Sequence, residues 1–308
     1  MAIYTHKEAK KYLTSILFAF EKPHNIRPHL EVVFVFGSAD SDSQSKRKKF
    51  LSFVDKKNTQ FNFITIESIY EDLKKYGSHT QGVSAKRIPL VELELLAIRY
   101  SYSLIIFPES IGSFAELGYF TAIEDTREKI YVVNNYVFSS DSSYVNHLID
   151  AIHNPRELRP FLLDYNRLEE TYYDNEFEKI INKLTDDYNE SQREIKVMQT
   201  NIFPIAMTYE VIRLLSHLKF TQIKDLTKIV LKMHKIEIEN FNMNFMVYIS
   251  LLVVSRLIDR VELDGEIVFI ARNEDYTLID FNMLETNRKK LMMFQIEYSE
   301  EVLKRQKV

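Results

Sequence analysis

Short uninterrupted apolar runs alternate with longer stretches whose apolar residues return at helical spacing, and this alternation organises the first half of the chain. The runs Glu31-Val-Val-Phe-Val-Phe36, Phe61-Asn-Phe-Ile-Thr-Ile66, Leu104-Ile-Ile-Phe107 and Lys129-Ile-Tyr-Val-Val-Asn134 predict strands. Helical spacing predicts helices over 6–20, 46–55, 87–100 and 141–152, a short one running to Tyr76, and one after Gly112 carried by Phe114, Leu117 and Phe120. Pro23 and Pro28 are expected to interrupt the chain before the first strand, and 77–84 reads as a flexible loop. Strands and helices in strict alternation predict an α/β domain with a doubly wound parallel sheet.

Near Pro155 and Pro160 the alternation stops. Residues 174–199 are charged with helical spacing, as suits a connector. Three further helices are predicted over 203–217, 220–234 and 244–260, and Asp264-Gly265 inside Val261 to Phe269 is a strong hairpin signal. Three helices and a hairpin describe a winged-helix-like module. The expected organisation is an α/β domain over 1–160, a helical connector over 161–200 and a winged-helix-like domain over 201–308. Its tail, 285–305, is amphipathic, with Leu291, Phe294, Tyr298 and Val302 on one face, and suits self-association into a homo-oligomer.

The 308 residues, 45% apolar with net charge -4, carry no global basic field aimed at nucleic acid or a membrane surface. Cysteine is absent, which excludes disulfides, thiol nucleophiles and cysteine metal sites. No run of eighteen apolar residues occurs and no leader pattern is recognised at the N-terminus, so a cytoplasmic protein with no membrane span is expected. The eight histidines show no metal-ligand spacing, and no Walker loop or nucleophile elbow is present. Neither a metal nor a cofactor is expected. Over 201–308, fifteen Lys/Arg face fifteen Asp/Glu, which favours docking to a protein or ribonucleoprotein over independent DNA reading.

Scarce glycine stands beside two carboxylates in Ser103-Leu-Ile-Ile-Phe-Pro-Glu-Ser-Ile-Gly-Ser-Phe-Ala-Glu-Leu-Gly118. Pro108 ends the strand, Ser110 or Ser113 is available to cap the next helix, and Glu116 falls in its early turns. Ligands of open parallel sheets settle beyond the carboxyl ends of the strands. The helix dipole is expected to keep Glu116 ionised there, able to attack an electrophilic sugar carbon. Glu109, on the turn, supplies the second carboxylate that glycosidic chemistry uses. A plain α/β turn with Glu116 in a surface ion pair is the competing reading of the same residues.

Gly37-Ser38 opens a polar loop after the first strand, a place where amides and a helix N-terminus often face a phosphate or ribose; Asp40 and Asp42 are candidates for sugar hydroxyls. Glu67 and Asn134 end two further strands. The predicted cradle is therefore Gly37, Ser38, Asp40, Glu67, Glu109 to Glu116 and Asn134.

The segment from Phe107 to Gly118 resembles the nucleophile segment of nucleoside 2-deoxyribosyltransferase-like proteins, and is similar still more closely to the N-glycosidase effectors of tripartite bacterial retron defence systems. The likeness extends more weakly over 31–135. It implies Glu116 as catalytic nucleophile with Glu109 beside it, Ser110, Gly112 and Ser113 as neighbours in the substrate site, and Glu94 as a matching glutamate on the preceding helix. Tyr102 departs from the pattern, standing where these enzymes usually carry an aspartate. The resemblance further implies a toxic N-glycosidase, with NAD as the favoured nucleotide substrate, controlled by assembly with a reverse transcriptase carrying its RNA-linked DNA. A metabolic nucleoside 2-deoxyribosyltransferase and a non-catalytic nucleotide-sensing regulator are the alternatives.

Overall fold

The computed structural model describes residues 23–38, 42, 44–76, 89–138, 144–152, 161–193, 202–263 and 265–281. The expected helix over 6–20, the loop 77–84, the tail 285–305, and Asp40 and Asp264 lie outside the described residues. In chain order the strands are β1 Pro23–Ile26, β2 Leu30–Phe36, β3 Asn62–Ile64, β4 Ser101–Ile106, β5 Ile130–Asn135, β6 Phe161–Leu163, β7 Leu218–Lys219, β8 Ile258–Leu263, β9 Glu266–Ala271 and β10 Ile279–Phe281. The helices are α1 Lys46–Val54, α2 Ile66–Tyr76, α3 Leu90–Tyr100, α4 Ile111–Ala122, α5 Glu124–Arg127, α6 Tyr144–Ile152, α7 Glu170–Arg193, α8 Phe203–Leu215, α9 Phe220–Met233 and α10 Phe241–Val254.

The chain divides into two compact units, one of residues 29–70 and 90–196, the other of 1–28, 71–89 and 197–308. The first is α/β. Its five strands are all parallel in the order β3-β2-β4-β5-β6. The order reverses between β2 and β4, the switch point at which such sheets open a crevice. Val32 to Phe36 of β2 and Leu104 to Ile106 of β4 are apolar without a break because both faces of the sheet are covered there. Successive side chains point to opposite faces, so Val33, Val35, Ile105 and Phe107 enter one core layer with Phe50 of α1 and Phe177 of α7. Phe36 lies on the other face, against Phe120 of α4.

The stretch expected as a connector carries β6 and α7. Tyr173, Phe177, Ile180, Leu184 and Tyr188 recur at helical spacing on α7 and are all buried in that core, leaving the charges on its outer face. Burial of each such side chain contributes about 1.5–3 kcal/mol. Tyr102, early in β4, belongs to the same layer, stacked on Phe61 with ring centroids 5.3 Å apart. It is thus a packing residue at the start of its strand, whereas the crevice lies at the other end.

The second unit holds α8, α9, α10, an antiparallel sheet in the order β7-β9-β8, and β1 paired antiparallel with β10. Pro23 and Pro28 were expected only to break the chain; Pro23 instead begins β1, a position where the missing N–H is tolerated. Helix α8 is buried along its whole length except at Arg213. Its Glu210 is fully buried and accepts from the backbone amides of Leu278 at 2.7 Å and Ile279 at 3.1 Å, with Arg213 Nε at 2.7 Å. Burial pushes this carboxyl above its ordinary range, against the pull of Arg213 and the two amides.

The third helix of this unit is shorter than the periodicity predicts. It ends at Val254, Arg256 takes a left-handed φ of 57°, and Ile258 and Arg260 fall on β8. The helical stripe Val247, Leu251, Val254, Ile258 is therefore corrected at its last member: Ile258 is buried from a strand. Arg260, expected on the helix, makes a bidentate ion pair with Asp72. Gly265 closes the β8–β9 hairpin at φ +74°, where a side chain would be strained. No helix among the described residues is long and apolar enough to cross a membrane.

Candidate active site

Phe107 N donates to Phe36 O at 2.9 Å, so the chain leaves β2 and β4 side by side at the switch point. From there it makes two turns that interlock. Glu109 reaches across to the loop after β2. Its Oε1 accepts from Ser38 N at 3.0 Å, Ser45 Oγ at 2.9 Å and Arg47 N at 3.1 Å, and its Oε2 from Lys46 N at 2.7 Å. Ser45 caps α1, and Lys46 and Arg47 are its first residues, so the carboxylate lies on the N-terminal amides of that helix. Gly37 lets the two segments close: a Cβ there would lie 2.7 Å from both Arg47 Cβ and Glu109 Oε1.

Ser110 and Ser113 build the start of α4. Ser110 Oγ accepts from Ser113 N at 3.1 Å, while Ser113 Oγ accepts from Ser110 N at 2.9 Å and Glu109 N at 3.0 Å. This capping box satisfies amides that the first helical turn leaves without partners. At Gly112 an added methyl would meet only Ser110 Oγ at 3.7 Å, so packing within the chain does not demand glycine there.

Glu116, one turn further, is half-buried, and its Oε2 is buried with no hydrogen-bond partner among the described residues. Its electrostatic neighbours are Glu94 of α3, Glu67 of α2 and Arg47 of α1. Burial first, then Glu94 and Glu67, pushes Glu116 up to about 7, with Arg47 opposing. Glu94, buried, is likewise raised to about 7 by burial and by Glu67. The helix dipole was expected to hold Glu116 ionised; a dipole contributes about 0.3–1 kcal/mol at a helix terminus, and desolvation by the crevice outweighs it. Two neighbouring carboxyls both raised toward neutrality can divide the roles of anion and acid between them.

Arg47 went unremarked in sequence because it stands inside Lys46-Arg-Lys-Lys49, which reads as a solvated run. Its side chain is 4% exposed and donates from Nη1 to Glu67 Oε1 at 2.8 Å. A basic residue at the start of the helix that follows the first polar loop was the available signal. Asn134, the last residue but one of β5, is buried, its Oδ1 accepting from Asn135 N at 2.9 Å and its Nδ2 donating to Asn146 Oδ1 at 3.5 Å. Asp42 Oδ1 accepts from Gln44 N at 2.9 Å within the loop. The described structure thus brings Glu67, Glu94 and Glu116 together, with Arg47 beside Glu67 and Glu116, and ties Gly37, Ser38, Ser110 and Ser113 to Glu109. Among the described residues no group of three or more His, Cys, Asp or Glu side chains is arranged to hold a metal ion.

Comparison with known proteins adds a family. A family model described as STM3845 retron effector protein matches residues 43–260, which span most of both units. Two Escherichia coli proteins are similar over shorter stretches: "Retron Ec86 putative ribosyltransferase/DNA-binding protein", 29% identical over 116 residues, and its Retron Ec73 namesake, 25% identical over 126 residues. Those stretches are 37% and 40% of this chain and 34% and 37% of the two relatives, so about a third of each relative's length is spanned.

Proposed function

The chain belongs to the STM3845 retron effector protein family, and on that premise we propose that it is the toxic N-glycosidase of a bacterial retron defence system, cleaving a nucleotide through Glu116. The observation that supports this most is the half-buried Glu116 carboxyl, one oxygen without a partner among the described residues, raised together with Glu94 to about 7. Acid and base assignments follow from carboxyls whose environments move them toward the working pH. The names of the two relatives, as ribosyltransferases, point to the same reaction type.

In this reading an oxygen lone pair of the Glu116 carboxylate forms a bond to C1' of the sugar while the C1'–N bond breaks and its electron pair leaves with the base. A pyridinium base, as in NAD, leaves neutral and needs no proton. A purine or pyrimidine takes the proton of the Glu94 carboxyl. Water then attacks C1', its proton passes to the Glu94 carboxylate or to solvent, and the ester to Glu116 opens, restoring the nucleophile. Glu67 holds Arg47 beside the pair. Glu109, with all four donors on its carboxylate, is better suited to fix the turn that carries Glu116 than to exchange protons itself. Ser110, Gly112 and Ser113 shape the wall of the site, and Asn134 closes it from β5.

The α/β unit is proposed as nucleoside deoxyribosyltransferase-like, and α8 to α10 with the β8–β9 hairpin as winged-helix-like. Balanced charge over 201–308 favours that module as a dock for a reverse transcriptase with its RNA-linked DNA. Silence in a healthy cell would come from that assembly, in a homo-oligomer or a larger complex, so nucleotide loss is expected to depend on the neighbouring retron components. Product analysis with NAD and with deoxynucleosides separates the readings. Released base with free sugar supports hydrolysis, base exchange marks a metabolic transferase, and binding without turnover marks a sensor.

A further inference from the structure

We infer that Glu109 is a built-in anion filling the seat that a 5'-phosphate would otherwise take, so that the crevice favours nucleosides over compounds whose reacting sugar carries a 5'-phosphate. This rests on the N-glycosidase reading for its substrate and deepens it.

The argument starts from a loop made for an anion. In α/β sheets the amides after the first strand and the N-terminus of the next helix are a ready phosphate site. Here those donors are the amides of Ser38, Lys46 and Arg47 and the hydroxyl of Ser45, and all four point at one carboxylate. That carboxylate belongs to the chain itself. It arrives from the turn after β4, and Gly37 is needed to let it in, since a Cβ there would lie 2.7 Å from Oε1. A phosphate brought to the same donors would have to displace a charge held by four hydrogen bonds.

The neighbourhood reinforces the exclusion. Glu67, Glu94 and Glu116 share the crevice, and its buried cation Arg47 is already paired to Glu67 at 2.8 Å. Like charges brought together in a partly desolvated crevice repel strongly. A neutral sugar end and a cationic or neutral base meet no such penalty. The same penalty falls on NAD, whose nicotinamide ribose carries a phosphate at C5', so NAD is expected to react more slowly than nicotinamide riboside.

The test compares two compounds differing only in the phosphate, nicotinamide riboside and nicotinamide mononucleotide, as substrates of the full chain with its retron partners. The expected kcat/KM for the riboside is about tenfold or more above that for the mononucleotide, a modest share of what one repelled charge can cost. Equal values, or preference for the mononucleotide, would overturn the inference. If neither compound nor any nucleoside loses its base, the N-glycosidase reading has failed and the seat is read separately by calorimetry with inorganic phosphate. Glu109→Ala is expected to gain a phosphate site that the wild type lacks; no gain in a variant whose circular dichroism matches the wild type would overturn the inference. Glu109→Gln, which keeps an acceptor and loses the charge, is expected to narrow the riboside preference; were Glu109→Ala not to fold, an unchanged preference in Glu109→Gln would count against it.

Discussion

Arg47 and Glu67 form an ion pair of very unequal depth: Nη1 to Oε1 is 2.8 Å, with the arginine side chain 4% exposed and the glutamate 54%. The pair acts on the proposed nucleophile with both signs, because Arg47 lowers Glu116 while Glu67 raises it.

Opposite pH shifts follow for the two partners. Glu67→Gln removes a charge that raises both Glu94 and Glu116, so the acid limb of the pH–rate profile should move below its wild-type position near 7. Arg47→Met removes the opposing charge and should move it higher. Profiles of kcat/KM for base release, taken across the neutral range, check both directions. A common shift of the same sign in the two variants would show that the profile reports another group.

Stability should carry the same signature. Glu116 has a folded value raised from 4.5 to about 7, so its contribution is complete below about 4.5 and is lost as pH rises through about 7. Glu116→Gln cannot lose it. The difference in melting temperature, variant minus wild type, should therefore grow from pH 5 to pH 8, at about 2–4 °C for each kcal/mol in a chain of this size. A difference that is flat or falls with pH would contradict the burial of that carboxyl.

Glu210 makes a prediction for the other unit. Its carboxylate holds the amides of Leu278 and Ile279 and the Arg213 guanidinium inside a helix buried on nearly all sides. Glu210→Ala leaves three donors without their acceptor and should cost about 3–5 kcal/mol, the range for breaking a buried pair from one side. Urea unfolding measures it. A loss below about 1 kcal/mol would mean that water replaces the carboxylate, as at exposed pairs.

The parallel sheet was legible because Val32 to Phe36 and Leu104 to Phe107 are apolar without a break, a pattern imposed by burial on both faces. The turn that carries Glu116 was legible because its segment combines a strand end, a cap and a glycine in a short span. The strands β6 and β10, of three residues each, were not, since so short a run carries no period to read. Helix α10 was overextended for a related reason: Ile258 continues its apolar spacing, and only the left-handed backbone at Arg256 ends the helix. The part played by Glu109 was hidden as well. Its four donors come from residues 62 to 71 positions away, and nothing local to Glu109 announces them.

The central claim is that Glu116 carries the chemistry, and release of base by the Glu116→Gln variant tests it most directly. The substitution keeps size and helix propensity nearly unchanged and removes only the charge. With NAD or a nucleoside that the wild type cleaves in the presence of its retron partners, the variant should fold, melt no lower than the wild type at pH 8, and release base at least about a thousandfold more slowly, as expected when a nucleophile is lost. Base release at the wild-type rate from the folded variant would contradict the account.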